Sequence, residues 1–203
     1  EATMAEERHL EGGVLELIRE LAAADEEPMA AVRTVVSTLS AYDPDATPQT
    51  DPTDLEANLR KGRRITAKIP TALAAFARIR NGDEPVEPRD IFDMALVLHA
   101  DHGLNASTFA ARVTASTLSD LHAAVTSAVG ALSGSLHGGA NQDVMEMLLE
   151  VDESGKDPLV WIEDAIENDR RIPGFGHRVY DDKDPRAYIL AEHSKALSEA
   201  SEA

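Results

Sequence analysis

The chain has 203 residues and 43% hydrophobic content, enough for one sizeable core and a second, smaller lobe. Its 37 acidic side chains against 19 basic ones give a formal charge of −18, which argues against nucleic acid and anionic membrane surfaces as partners. There is no cysteine, so disulfides and thiolate metal sites are excluded.

Apolar residues recur at helical spacing almost throughout, and an all-α fold is expected. Val14, Ile18 and Leu21 make the first stripe. Asp25-Glu26-Glu27-Pro28 breaks the chain before a second stripe of Met29, Val32, Val36 and Leu39. A longer break runs from Asp43-Pro44-Asp45 to Pro52. Leu55, Leu59, Ile65, Ile69, Leu73 and Phe76 then predict a long helix with an internal kink at Pro70, ending at Asn81-Gly82. Residues 81–90 read as a loop, after which Ile91, Met94, Ala95 and Leu98 restart a helix. From Ala106 to Ala140 the small residues predict a buried helical hairpin. Asn141 is a candidate cap for a helix carrying Val144, Met147 and Leu148. Asp157-Pro158 opens the next helix, with Trp161, Ile162 and Ile166, and Asp184-Pro185 opens the last. Period-2 strand runs, internal repeats and low-complexity tracts are lacking before the Ser/Ala/Glu-rich C-terminal tail.

The acidic residues are spread along the chain, as on a solvated folded surface and unlike a disordered tail. Such charge opposes compaction, but at about 1 M salt the Debye length falls to roughly 3 Å and the repulsion is largely screened. A salt-adapted source is expected, and 5 lysines against 14 arginines point the same way. No apolar run approaches the length of a membrane span or signal sequence, so a cytoplasmic protein is expected.

Three clusters place histidine beside glycine or charge: residues 99–103 (His-Ala-Asp-His-Gly), 136–141 (Leu-His-Gly-Gly-Ala-Asn) and 174–178 (Gly-Phe-Gly-His-Arg). Singly each is weak, since a Gly-flanked histidine is commonly a turn residue. His99 and His102 have the spacing of one helix face, which suggests a metal pair, but a zinc site needs further ligands and no recognisable spacing supplies them. His102 reads equally as the end of a helix stopped at Gly103. His137 stands just ahead of a predicted helix, where unpaired N–H groups favour a neutral imidazole able to donate to a developing enolate oxygen. The alternative is an ordinary helix-start residue with glycines for the turn. Arg170, Arg171, Arg178 and Arg186 fall within 17 positions of an otherwise acidic chain. They either bind an anion or pair with Glu163, Asp169, Asp181, Asp182 and Asp184.

In this order and spacing the clusters resemble the citrate synthase family, particularly its shorter archaeal and bacterial members. Residues 65–71 (Ile-Thr-Ala-Lys-Ile-Pro-Thr) and 77–82 (Ala-Arg-Ile-Arg-Asn-Gly) resemble its large-domain helices. The stretches 99–107, 135–141 and 173–186 resemble its active-site signatures. The resemblance implies a two-domain helical fold, with residues 1–133 part of the large domain and 134–203 the small domain. It implies condensation of acetyl-CoA with oxaloacetate, with no metal and no cofactor beyond the CoA substrate, in a homodimer whose interface would suit the small-residue helices 106–132. A 2-methylcitrate synthase using propionyl-CoA, and a non-catalytic acidic protein that binds CoA or another anion, are the rival readings.

Carried over by position, His137 resembles the histidine that hydrogen-bonds the thioester oxygen of acetyl-CoA. His177 resembles the one that polarises the oxaloacetate ketone and protonates the forming alkoxide. His102 and Arg186 resemble residues that hold oxaloacetate, and Arg170, Arg171, Ile172, Pro173 and Gly174 resemble the turn that contacts the CoA nucleotide. The family's base is an aspartate well downstream of the second histidine; Asp181, Asp182 and Asp184 stand too close to His177 to be that residue. The passage from Pro88-Arg89-Asp90 into Ile91 also looks shortened, and a longer parent chain is expected.

Overall fold

The computed structural model describes residues 4, 6–84, 99, 103–134, 136–176 and 184–201. Every regular element among them is helical, in agreement with the expected all-α class. The chain divides into two compact units, Glu1–Ser133 and Gly134–Ala203.

The first unit is built around α3 (Leu55–Arg80), which packs against α1 (Gly12–Ala23), α2 (Pro28–Leu39) and α5 (Leu121–Leu132). Asp54 starts α3 by accepting from the backbone N–H groups of Glu56 and Ala57, and Asn81-Gly82 ends it, as expected. Gly82 takes φ 82°, with its N–H on Ile79 O and that of Asp83 on Arg78 O, a left-handed C-terminal turn that glycine adopts without strain. The helix runs as one element through Pro70, whose ring is buried.

Val14 and Ile18 of α1 are fully buried, each contributing about 1.5–3 kcal/mol by leaving water. They meet Val35 and Leu39 of α2 and Ala72, Ala75 and Phe76 of α3. The buried face of α2 is Ala31, Val35, Val36 and Leu39, so Met29 and Val32 sit at its margin. On α3 the apolar pattern was misleading, because Leu55 and Leu59 are exposed while Ala57, Lys61 and Lys68 are buried. A helix with three packed neighbours buries several faces, and small residues and lysine stems fill them.

The expected hairpin forms from α4 (Ala106–Ser116) and α5, but only half of it is enclosed. His122, Ala124 and Val129 of α5 are buried, whereas α4 buries nothing among the described residues and exposes Phe109 and Val113. Small-residue composition permits close approach on one side only, here to α5.

In the second unit, α6 (Ala140–Ser154), α7 (Pro158–Glu167) and α8 (Pro185–Ser201) follow in order. Asp157 caps α7 through Leu159 N–H with Pro158 in its first turn, and Asp184 Oδ1 accepts from Arg186 N–H at the start of α8, both as expected. The cap expected at Asn141 lies two residues too far along: α6 begins at Ala140 behind Gly139, which has no side chain to cap it. Among the described residues the second unit buries only Trp161 and Ala165, and Met145, Leu148 and Leu149 of α6 are 57%, 51% and 54% exposed.

Candidate functional site

His137 lies in the turn Leu136–Gly139 that feeds α6, half-buried, with its backbone N–H on Gly134 O at 2.9 Å. Gly138 N–H reaches the same carbonyl at 3.2 Å, so the turn is closed by main-chain bonds and the imidazole precedes an uncapped helix start. The first N–H groups of a helix have no partner within it and carry its positive end, a setting suited to an electron-rich oxygen.

The segment 170–174 is shaped by the end of α7. Asp169 adopts φ 54°, Asp169 N–H donates to Ile166 O at 3.1 Å, and Arg170 N–H donates to Ala165 O at 2.8 Å, a reversal that turns the chain sharply. The Arg170 guanidinium forks onto Glu150 of α6: Nη1 donates to Oε1 at 2.6 Å and Nη2 to Oε2. It also lies 4.9 Å from the centroid of the buried Trp161 ring. The fork, helped by the Trp161 indole, holds the Glu150 carboxyl below its ordinary range. Four residues on, Gly174 has φ 85° and sits so close to α6 that a Cβ there would come within 3.0 Å of Val144 Cγ2. The segment therefore runs back along α6, from Glu150 to Val144, toward the helix end that follows His137. Arg171 is exposed and has no ion pair among the described residues, while Ile172 and Pro173 are half-buried.

Arg186 is placed by its own turn: Nε donates to Asp184 Oδ1 at 2.9 Å and Nη2 to Oδ2 at 2.5 Å. Of the acidic partners considered from sequence, Asp184 is thus engaged with arginine. Glu150, which holds Arg170, was not among them, because it lies 20 residues earlier on another helix. His99 is exposed. His102 and His177 lie outside the described residues, as does the passage 88–91.

A separate cavity of about 240 Å³ lies in the first unit, lined by Glu11, Tyr42, Asp43, Arg64, Lys68 and His122 among others. Its charges are largely matched internally. Arg64 bonds Asp43 through Nε at 2.9 Å and Nη2 at 2.6 Å, and Asp45 at 2.5 Å; Arg60 forks onto Asp45 at 2.6 and 3.0 Å; Lys68 pairs with Glu11. Arg60 and Arg64 hold the Asp45 carboxyl far below its usual range. This network ties the turn after α2 to α3.

The chain matches the family model "Citrate synthase, C-terminal domain" over residues 1–91 and 89–203. It belongs to the citrate synthase family. The citrate synthase of Haloferax volcanii is 56% identical over 220 positions, covering 97% of this chain and 58% of that protein. A 2-methylcitrate synthase of Mycobacterium tuberculosis is 39% identical, covering 78% of this chain and 44% of that protein. Among solved structures, citrate synthase from Pyrobaculum aerophilum superimposes with a TM-score of 0.79 at 35% identity, over 97% of this chain and 56% of that one. The citrate synthase of Thermoplasma acidophilum, solved as a ternary complex with carboxymethyl coenzyme A and oxaloacetate, gives 0.73 at 26% identity, over 98% of this chain and 58% of that one. The chain thus spans a little over half the length of the citrate synthases it matches. Its two stretches of family match meet at 89–91, where the sequence looks shortened. The Haloferax alignment is longer than this chain's 203 residues, so that relative carries residues without a counterpart here.

Proposed function

We propose that the protein carrying this chain is a citrate synthase, condensing acetyl-CoA with oxaloacetate and hydrolysing citryl-CoA to citrate and CoA. The observation that carries the reading is the placement of His137, fixed by main-chain bonds just ahead of the uncapped start of α6, in a chain of this family. The imidazole N–H there donates to the thioester oxygen as the methyl group loses its proton, and stabilises the enol more than the ground-state carbonyl. His177 polarises the oxaloacetate ketone and gives its proton to the alkoxide as the new C–C bond forms. His102 and Arg186 hold oxaloacetate, the guanidinium matching a carboxylate in the planar fork that it now makes with Asp184. The turn Arg170–Gly174 receives the nucleotide end of CoA. The base is the family's downstream aspartate, and no metal or further cofactor enters the reaction.

The relation of residues 1–133 to the family's large domain and of 134–203 to its small domain is part of this reading. So are a homodimer, a cytoplasmic location and a salt-adapted source, the last supported by the acidic composition and the Haloferax relative. No described helix is long and apolar enough to cross a membrane.

The 2-methylcitrate synthases among the relatives support a second reading with propionyl-CoA. One methylene in an apolar pocket is worth only about 1–3 kcal/mol, so the thioester must be tested directly. Oxaloacetate-dependent CoA release from both thioesters by the purified protein in molar KCl is the experiment. Faster release from acetyl-CoA supports the first reading, faster release from propionyl-CoA the second. A folded protein that releases neither is a binding protein.

A further inference from the structure

We infer that Arg170 is a positioning residue: clamped by Glu150 and Trp161, it sets the turn through Gly174, and Arg171 is the arginine of that turn left to meet an anionic ligand. The inference rests on the reading of residues 170–174 as the CoA-contacting turn and divides the labour within it.

Three observations converge. The Arg170 fork uses both terminal nitrogens on one carboxylate, and its flat face stacks on Trp161, so the group is committed on an edge and a face at once. To touch a phosphate it would have to abandon a charge-assisted pair and a cation–π contact together. Second, the clamp spans α6 and α7 where apolar packing is thin, since Leu148 and Leu149 of α6 and Val160 and Ile166 of α7 are all substantially exposed. It is therefore a principal tie between these helices among the described residues. Third, the segment is pinned at both ends: the Arg170 N–H bond to Ala165 O and the guanidinium at one, the contact of Gly174 with Val144 at the other. Glu150 and Val144 are six residues apart, about 9 Å of helix, which a stretch of four residues spans when extended. Between the pins, Arg171 is exposed with no carboxylate partner among the described residues. A phosphate-bearing ligand lying along the turn meets a guanidinium at 171 that has no carboxylate among the described residues, and a satisfied one at 170.

Glu150→Gln gives the decisive sign. If Arg170 were itself the ligand contact, removing its competing carboxylate would free it and lower KM for acetyl-CoA or leave it unchanged. As a strut, it loses its anchor, and KM for acetyl-CoA rises about tenfold, the worth of one charge-assisted bond, while KM for oxaloacetate stays put. Arg170→Gln should raise the same KM by a similar factor, and the double variant should be no worse than either single one. Arg171→Gln should raise it with an unchanged melting temperature. A lowered or unchanged KM in Glu150→Gln, or additive effects in the double variant, overturns the inference.

Should Glu150→Gln fail to fold, Trp161, the single tryptophan of these 203 residues, answers instead, read in protein whose tryptophans elsewhere, where it carries any, are replaced by phenylalanine. Its emission should stay constant as CoA is titrated to saturation, followed in parallel by calorimetry. A spectral shift on CoA binding means that Arg170 leaves the ring, and the inference fails. If CoA neither binds nor is turned over by the unmodified protein, it is the reading of the turn that fails, and the inference with it; bound CoA with the wrong sign in Glu150→Gln removes the strut alone.

Discussion

His122 is an imidazole held almost completely out of water, at 1% exposure, in a shell of opposing charges. Its Nε2 lies 3.5 Å from Asp43 Oδ2 and its Nδ1 3.8 Å from Asp120 Oδ1, while Lys61 and Arg64 face it as cations. Burial is the largest influence and lowers its pKa; the two carboxylates pull upward and the two cations add to the lowering. The neutral ring is therefore the folded form, while the unfolded chain binds a proton there below about pH 6.5. Between the two pKa values the unfolded state holds more protons, so this contribution is complete above about pH 6.5 and is lost as pH falls toward the folded pKa. In molar KCl the urea midpoint should be level from pH 8 to 7 and decline below 6.5, and His122→Leu should flatten that decline. A decline of equal steepness in the variant assigns it to other groups. Asp45, kept ionised by Arg60 and Arg64, stabilises the fold across this range, and its contribution is lost only as pH falls below about 4.

Helix ends divide into comfortable and strained ones. Gly82 closes α3 in the left-handed region, but Leu118 closes α4 with φ 61°, Leu118 N–H on Ala115 O and its side chain 61% exposed. A left-handed non-glycine residue costs about 1–2 kcal/mol, partly offset in a glycine variant by the extra freedom of its unfolded chain. Leu118→Gly should raise unfolding stability by about 0.5–1 kcal/mol at the denaturation midpoint; a loss would mean that the leucine makes a contact worth more than its strain. Much of this was legible. The Val14-Ile18 stripe, the Asn81-Gly82 stop and the aspartate caps before Pro158 and Pro185 all follow from local chemistry that neighbours do not alter. What escaped depends on partners distant in sequence. The buried faces of α3 depart from its apolar pattern because three neighbours bury alanine and lysine on it, and α4 is less enclosed than its composition suggests because small residues do not say which side finds a partner. For the candidate site, sequence indicated the turn 170–174 and the histidine before α6. It did not reveal that Arg170 is held by Glu150 and Trp161, a triad assembled from two helices and the turn after the second.

At the scale of the molecule, −18 charges on 203 residues oppose the compact state unless salt screens them. Roughly 3 Å of Debye length at 1 M leaves close pairs such as Arg64 with Asp43 intact while removing most longer-range repulsion. The melting temperature should therefore rise steadily as KCl goes from 0.1 to 2 M, with the salt dependence reduced in a variant carrying several exposed Glu→Gln changes. A flat response would remove the case for salt adaptation. In the proposed mechanism His137 and His177 serve one condensation, tested most directly by CoA release from acetyl-CoA by the purified protein in molar KCl, with and without oxaloacetate. Release that requires oxaloacetate and falls at least a hundredfold, the usual scale for removing a positioned donor or acid, in His137→Ala and in His177→Ala is the predicted result. Release that survives both substitutions in folded protein would contradict it.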